Sequence, residues 1–130
     1  MTPATIVRAL YEAYQDRDWA RAEPLLHPDV TVDMPATNER LAGRPAVLGF
    51  QRDYPEPWGD LEVSQTIGGT NPADTLVAAG VEVHAAGEVL RMAAHWECRD
   101  GLLWRGVEYW VTVGGEEPPA WREHHPVPES

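Results

Sequence analysis

The chain has no lysine. All ten basic residues are arginines, set against 21 acids, for a formal charge of −11 over 130 residues. Without lysine there is no Schiff-base nucleophile, no pyridoxal-phosphate anchor and no Walker-type phosphate loop. The acidic balance argues against nucleic acid and anionic membrane as partners, since both need a basic footprint. Serine occurs only as Ser64 and Ser130, neither in a nucleophile-elbow setting, which closes the serine-hydrolase reading. Cys98 is the single cysteine, so no intrachain disulfide can form. No segment has the unbroken apolar run of a membrane span, and no basic-then-apolar leader follows Met1. The expectation is a cytoplasmic protein of one domain, residues 1–113, followed by a proline-rich tail over 114–130.

What is present reads as helices first and sheet afterwards. Pro3 stands in a first-turn position, and Ile6, Val7, Leu10, Ala13 and Tyr14 follow at helical spacing over residues 3–16. Asp18 is placed to cap a second short helix, in which Trp19, Ala22, Leu25 and Leu26 face one way. His27-Pro28-Asp29 ends it, residues 30–34 alternate as a short strand, and Pro35 to Gly43 is expected as loop. Pro45 starts a third helix carrying Val47, Leu48 and Phe50. Residues 54–60, broken by two prolines and a glycine, exclude regular structure. Strands are expected near 61–67, 75–84, 88–98 and 102–113, and Trp121 is a candidate anchor for the tail.

The last three strands carry an internal check on register. With Ala86-Gly87 as a two-residue turn, Val83 faces Leu90 and Val81 faces Met92, while Glu82 meets Arg91 on the other side. For the next turn, a three-residue Arg99-Asp100-Gly101 loop pairs Trp96 with Trp104, Ala94 with Gly106 and Met92 with Glu108. A two-residue Asp100-Gly101 turn would flip the last strand and send Glu108 outward.

That choice decides the candidate site. With Glu108 inward, the apolar residues Met92, Trp96, Trp104 and Trp110 would desolvate its carboxylate and raise its pKa toward neutrality, suiting it to acid–base work. Facing outward, it is a solvated glutamate beside Arg105 or Arg91. Tyr14, Tyr54 and Trp58 are candidate donors or aromatic walls for a flat or cyclic apolar ligand, with core packing as the plainer role of Tyr14. Val30, Val32 and Met34 share a face, which puts Met34 inward and Asp33 at the rim. His95 falls on the face opposite Trp96, and no histidine has a partner at metal-ligand spacing, so no metal is expected. Cys98 reads as a small buried hydrophobe rather than a thiolate.

The order of these elements resembles the nuclear transport factor 2-like superfamily, in particular its SnoaL-like, polyketide cyclase-like branch. The similar stretches are LLHPDVTVDMP (Leu25–Pro35), Gly43-Arg44-Pro45-Ala46 and RDGLLWRGVEYW (Arg99–Trp110). The resemblance implies an α+β, cystatin-like fold: N-terminal helices packed on a strongly curved antiparallel sheet, cone-shaped around a hydrophobic pocket, commonly as a homodimer. Leu103, Arg105, Val107, Tyr109, Val111 and His95 on the outer sheet face are the candidate dimer surface. The superfamily hosts isomerases, cyclases, dehydratases, hydrolases and proteins without catalysis, so the fold alone names no reaction.

Roles carried over residue by residue narrow the choice. The tyrosine, aspartate and protonated acid of the ketosteroid isomerases fall near Leu10, Met34 and Ala94, all apolar here. The Asn-Met-Pro and closing Asp-Tyr-aromatic of the limonene-epoxide hydrolases are similar to Asp33-Met34-Pro35 and Glu108-Tyr109-Trp110. Their strand arginine has no counterpart in Leu76–Ala85. Two readings stay open. One is a cofactor-independent isomerase, cyclase, lyase or hydrolase with Glu108 and Asp33 as candidate catalytic residues, acting on a small apolar or aromatic molecule. The other is a non-catalytic ligand-binding or dimeric scaffold protein.

Overall fold

The computed structural model describes residues 1–54 and 59–128. Three helices lie against a six-stranded sheet that does not close on itself. The first, α1 (Pro3–Gln15), starts where Thr2 accepts a hydrogen bond from the Thr5 amide and Pro3 occupies a position that needs no N–H. It buries Ile6, Val7, Leu10, Tyr11, Ala13 and Tyr14. Asp18 caps α2 (Trp19–Ala22) through the Arg21 amide, as its spacing predicts. A 3₁₀ turn over Glu23–Leu25 leads into the first strand.

That strand, β1 (Leu26–Met34), is longer than its alternating pattern suggests. It begins ahead of His27-Pro28-Asp29 and absorbs the proline in a register shift between Leu26 and Thr31. The expected loop after it contains a further strand, β2 (Glu39–Ala42), antiparallel to β1. Asn38, with φ 56°, makes the turn between them. β2 is short and exposed except for half-buried Leu41, so it lacks the apolar alternation that marks a strand in sequence. The third helix, α3 (Arg44–Arg52), buries Val47, Leu48 and Gln51.

The remaining strands form a meander: β3 (Asp60–Ile67), β4 (Leu76–Ala85), β5 (Glu88–Arg99) and β6 (Leu102–Thr112). The sheet order is β2-β1-β6-β5-β4-β3, antiparallel throughout except that β1 runs parallel to β6, which makes the sheet mixed. The β4–β5 register is the expected one: Val83 with Leu90, Val81 with Met92, Glu82 with Arg91. Its turn residues Ala86 and Gly87 have φ 52° and 80°, a pair of left-handed conformations that match the strand twist.

The β5–β6 register corrects the sequence reading. The turn is the two-residue one, Asp100-Gly101, with φ 54° and 74°, so Arg99 pairs with Leu102 and Cys98 with Leu103. The register then shifts: Glu97 pairs with Arg105, and Trp104 is the extra residue of a β-bulge. Beyond it Trp96 lies opposite Gly106, Ala94 opposite Glu108 and Met92 opposite Trp110. Turn and bulge each change strand parity once, so the two cancel and Glu108 points inward. By the same bulge Leu103 is fully buried and leaves the proposed outer-face surface.

One apolar cluster fills the space between helices and sheet, joining Leu10 and Tyr11 of α1, Val30 and Val32 of β1, Val47 and Leu48 of α3, and Met92 and Trp96 of β5. The chain beyond Thr112 forms no strand or helix over the described residues, and Trp121 is 84% exposed, so it does not anchor the tail. Removing residues 115–130 is therefore expected to shift the melting temperature by no more than about 2 °C. A larger drop in a thermal scan of the truncated chain would show that the tail is part of the domain.

Candidate functional site

Apart from the polar tips of Tyr11, Tyr14 and Trp96, the buried polar side chains among the described residues are Gln51, 6% exposed, and Glu108, 3% exposed. Glu108 faces the helices from the middle of β6. Tyr11, on the inner face of α1, donates its phenolic O–H to Glu108 Oε2 at 2.8 Å. The Trp96 indole on β5 donates Nε1–H to the Tyr11 oxygen at 3.0 Å. The result is a chain of three groups, Trp96 to Tyr11 to Glu108, drawn from one helix and two strands.

Each partner uses its hydrogen-bonding capacity in a definite sense. An indole N–H can only donate, a phenol both donates and accepts, and an ionised carboxylate can only accept. The proton sequence is thus fixed, with a full or partial charge tolerable only at the Glu108 end. Burial raises the Glu108 pKa above its ordinary 4.5, opposed by hydrogen bonds from Tyr11 and Trp110. Burial, reinforced by the nearby Glu108 charge, raises the Tyr11 pKa well above 10 and holds it as a neutral donor. Tyr14 is raised for the same reasons. The arrangement can hold a proton on Glu108 or surrender it, with Tyr11 responding along the chain.

Gly106 makes this geometry sterically feasible. A Cβ there would stand 2.7 Å from two carbons of the Trp96 ring, so the indole lies directly over its backbone. The residue opposite a large aromatic in a ladder has to yield the space, and only glycine does.

The other sequence candidates are placed as follows. Met92 and Met34 are buried, Met92 within the main core. Trp110 is half-buried and packs on that core. Tyr14 is buried against Tyr11, ring centroids 5.9 Å apart and near perpendicular, and 6.0 Å from Trp19. Tyr54 is 45% exposed at the end of α3, beside Phe50. Trp58 lies outside the described residues. Trp104 does not share the wall with Trp96, because the bulge turns it toward two guanidinium groups, Arg105 at 4.0 Å and Arg99 at 4.7 Å from its ring centroid.

Asp33 is not brought to Glu108. It sits opposite Arg40 across the β1–β2 ladder and binds it through both oxygens, at 2.6 and 2.9 Å. Those hydrogen bonds hold its carboxyl below the ordinary 3.8. A carboxylate stabilised in that way is a poor proton carrier near neutrality. Among the described residues no group of three His, Cys, Asp or Glu side chains is placed to hold a metal ion. Two depressions, of about 540 and 410 Å³, open on the outer sheet face and between α1 and β3; neither is lined by Glu108.

Sequence reasoning missed Tyr11. Its signal was its position four residues after Val7, on the same helical face. The motif carried over from the isomerases instead directed attention to Leu10 and its next turn, Tyr14.

Helices on one face of an open mixed sheet, with a buried acid on the closing strand, define a nuclear transport factor 2-like α+β protein. The chain belongs to the SnoaL-like domain family, whose model matches residues 7–106. It is similar to a Kribbella flavida protein provisionally assigned as a ketosteroid isomerase, with 29% identity, 98% of this chain and 90% of that chain covered, and a TM-score of 0.85. A provisionally assigned polyketide cyclase from Xanthomonas campestris is 28% identical, with 82% of this chain and 89% of that chain covered, at a TM-score of 0.67. A nuclear transport factor 2-like protein of unknown function from Burkholderia xenovorans shares the fold at a TM-score of 0.75 and 21% identity, covering 92% of this chain and 89% of that chain. No curated protein matches the chain significantly. Among the described residues no helix is long and apolar enough to cross a membrane.

Proposed function

We propose that the chain binds a small apolar or aromatic molecule and moves a proton on it without a cofactor, as an isomerase or cyclase does. The observation that carries this reading is the buried Glu108 carboxyl, raised in pKa and hydrogen-bonded by Tyr11 within an apolar interior that includes Tyr14, Trp96 and Met92. Glu108 as carboxylate takes the proton from a carbon next to a carbonyl, and the electron pair enters the enolate. Protonated Glu108 then returns the proton to that carbon or a neighbouring one. Its raised pKa brings the acid closer to the working pH, where both steps run efficiently. The similarity to an isomerase-like and a cyclase-like structure supports that class of chemistry.

The test is proton exchange at carbon. The protein is incubated with small cyclic ketones such as 2-tetralone in heavy water, and the loss of the α-proton signal is followed by NMR. Exchange faster than buffer, removed in Glu108→Gln, supports the reading; exchange equal in both proteins sinks it. A second reading, a binding protein without turnover, draws on the near-complete burial of Tyr11, Trp96 and Glu108 (2%, 1% and 3% exposed), which suits a polar group closed into a core. Ligand affinity without exchange would favour it.

The proposal includes a homodimer through the outer sheet face. Tyr109 and Val111 stand 46% and 60% exposed there, around a depression of about 540 Å³ floored by Gly80 and Ala93. Glu82 and Arg91 beside them supply both charge signs, which a two-fold interface between identical copies can pair. Light scattering is expected to give twice the chain mass for the wild type and the single mass for Val111→Arg. A monomer mass for the concentrated wild type removes the idea.

A further inference from the structure

Among the described residues two buried side chains carry a carboxyl or carboxamide, and only one of these is provided for. Glu108 has Tyr11; Gln51, equally enclosed, has no hydrogen-bond partner for its carboxamide among the described residues. A buried amide left without partners is costly, and native interiors seldom keep one without a use. Its place is not accidental to the packing. Gln51 follows Val47 by four residues and Leu48 by three, on the face that α3 turns to β1, and both of those residues belong to the main core. A leucine or methionine would fit the pattern of that face without cost.

We infer that Gln51 is the recognition residue for the ligand, and that the ligand is an apolar ring system bearing a hydroxyl, enol or carbonyl oxygen. A carboxamide both donates and accepts, so it satisfies a hydroxyl or enol in either sense and a carbonyl by donation. Everything else in the main core is apolar apart from Tyr11, Tyr14 and the Trp96 indole, so a ligand packed against it meets few polar groups. Glu108 would handle the proton and Gln51 the oxygen. This inference rests on the small-molecule-binding reading above and adds to it the polar requirement of the ligand.

The experiment compares 2-naphthol with naphthalene, which differ by one hydroxyl, on the wild type and on Gln51→Leu by calorimetric titration. Gln51→Leu is expected to weaken 2-naphthol by about ten-fold, the loss typical of one hydrogen bond to a buried partner, and to leave naphthalene unchanged or tighter. The melting temperature of the variant is expected to equal or exceed that of the wild type, because the replaced amide had no partner to lose. Unchanged 2-naphthol affinity, or equal weakening of both compounds, overturns the assignment of Gln51 while leaving the small-molecule-binding reading in place. Failure of both compounds to bind the wild type removes the small-molecule-binding reading and the inference with it. A lowered melting temperature with unchanged affinities would show that the amide serves the fold, and also overturns it.

Discussion

Glu108→Gln is expected to lower the rate of proton exchange on a ketone by about 10²–10⁴-fold, the usual contribution of a positioned acid or base. The same substitution is expected to change the pH dependence of stability, which can be measured before any substrate is known. The Glu108 pKa is raised in the folded protein above its ordinary 4.5, so the native state keeps a proton that the unfolded chain has already lost. The stabilisation from this proton is complete below about pH 4.5 and is lost as pH rises through the folded-state value. Glutamine resembles the protonated acid and does not titrate. The melting temperature of the wild type relative to Glu108→Gln is thus expected to fall from about pH 4.5 upward, by roughly 4 °C per pH unit, and to level off once Glu108 has ionised in the folded state. A difference that stays flat from pH 4.5 to 8 would mean that burial does not shift the group, and the acid–base role would lose its basis.

The second large effect is expected at Gly106. Gly106→Ala places a methyl carbon 2.7 Å from the Trp96 ring, inside contact distance, and the ring is almost wholly buried with nowhere to retreat. Overpacking of this sort costs about 1–3 kcal/mol, and a displaced indole also leaves its N–H and the Tyr11 oxygen unpaired. The sum expected from urea denaturation is about 2–4 kcal/mol, with a change in tryptophan emission as Trp96 moves. Gly101→Ala serves as the comparison: it shares the loss of glycine but meets no atom within 4 Å, so only its left-handed φ of 74° is strained. Equal losses at the two positions would show that the Trp96 contact carries nothing.

Much of the fold could be read from the chain because period and turn chemistry agree there. The face of α1, the cap at Asp18, the proline start of α3 and the β4–β5 register all follow from local spacing. β2 was missed because a short, exposed edge strand has no apolar side to alternate with, and its pairing comes from β1. The inward position of Glu108 was expected from a different turn. The bulge at Trp104 could not be deduced, since a bulge is set by what both strands pack against rather than by a residue type. Glu108, Trp96 and Met92 were legible as inward groups by alternation, whereas the Tyr11–Glu108 bond links residues 97 positions apart and has no local signature. Asp33 looked like a site residue by motif; the arginine opposite it, seven residues on, is what commits it to the outer ladder.

The parallel pairing of β1 with β6 also governs when the protein can be assembled. During synthesis β1 and β2 leave the ribosome as a lone hairpin, a unit that is marginal in water. The sheet neighbour that gives β1 a permanent place is the last strand of this sheet in chain order, ending at Thr112. Until then β3, β4 and β5 can pair in sequence and give α1 a surface to pack on, but β1 and β2 have no sheet to join, and Tyr11 has no carboxylate to meet.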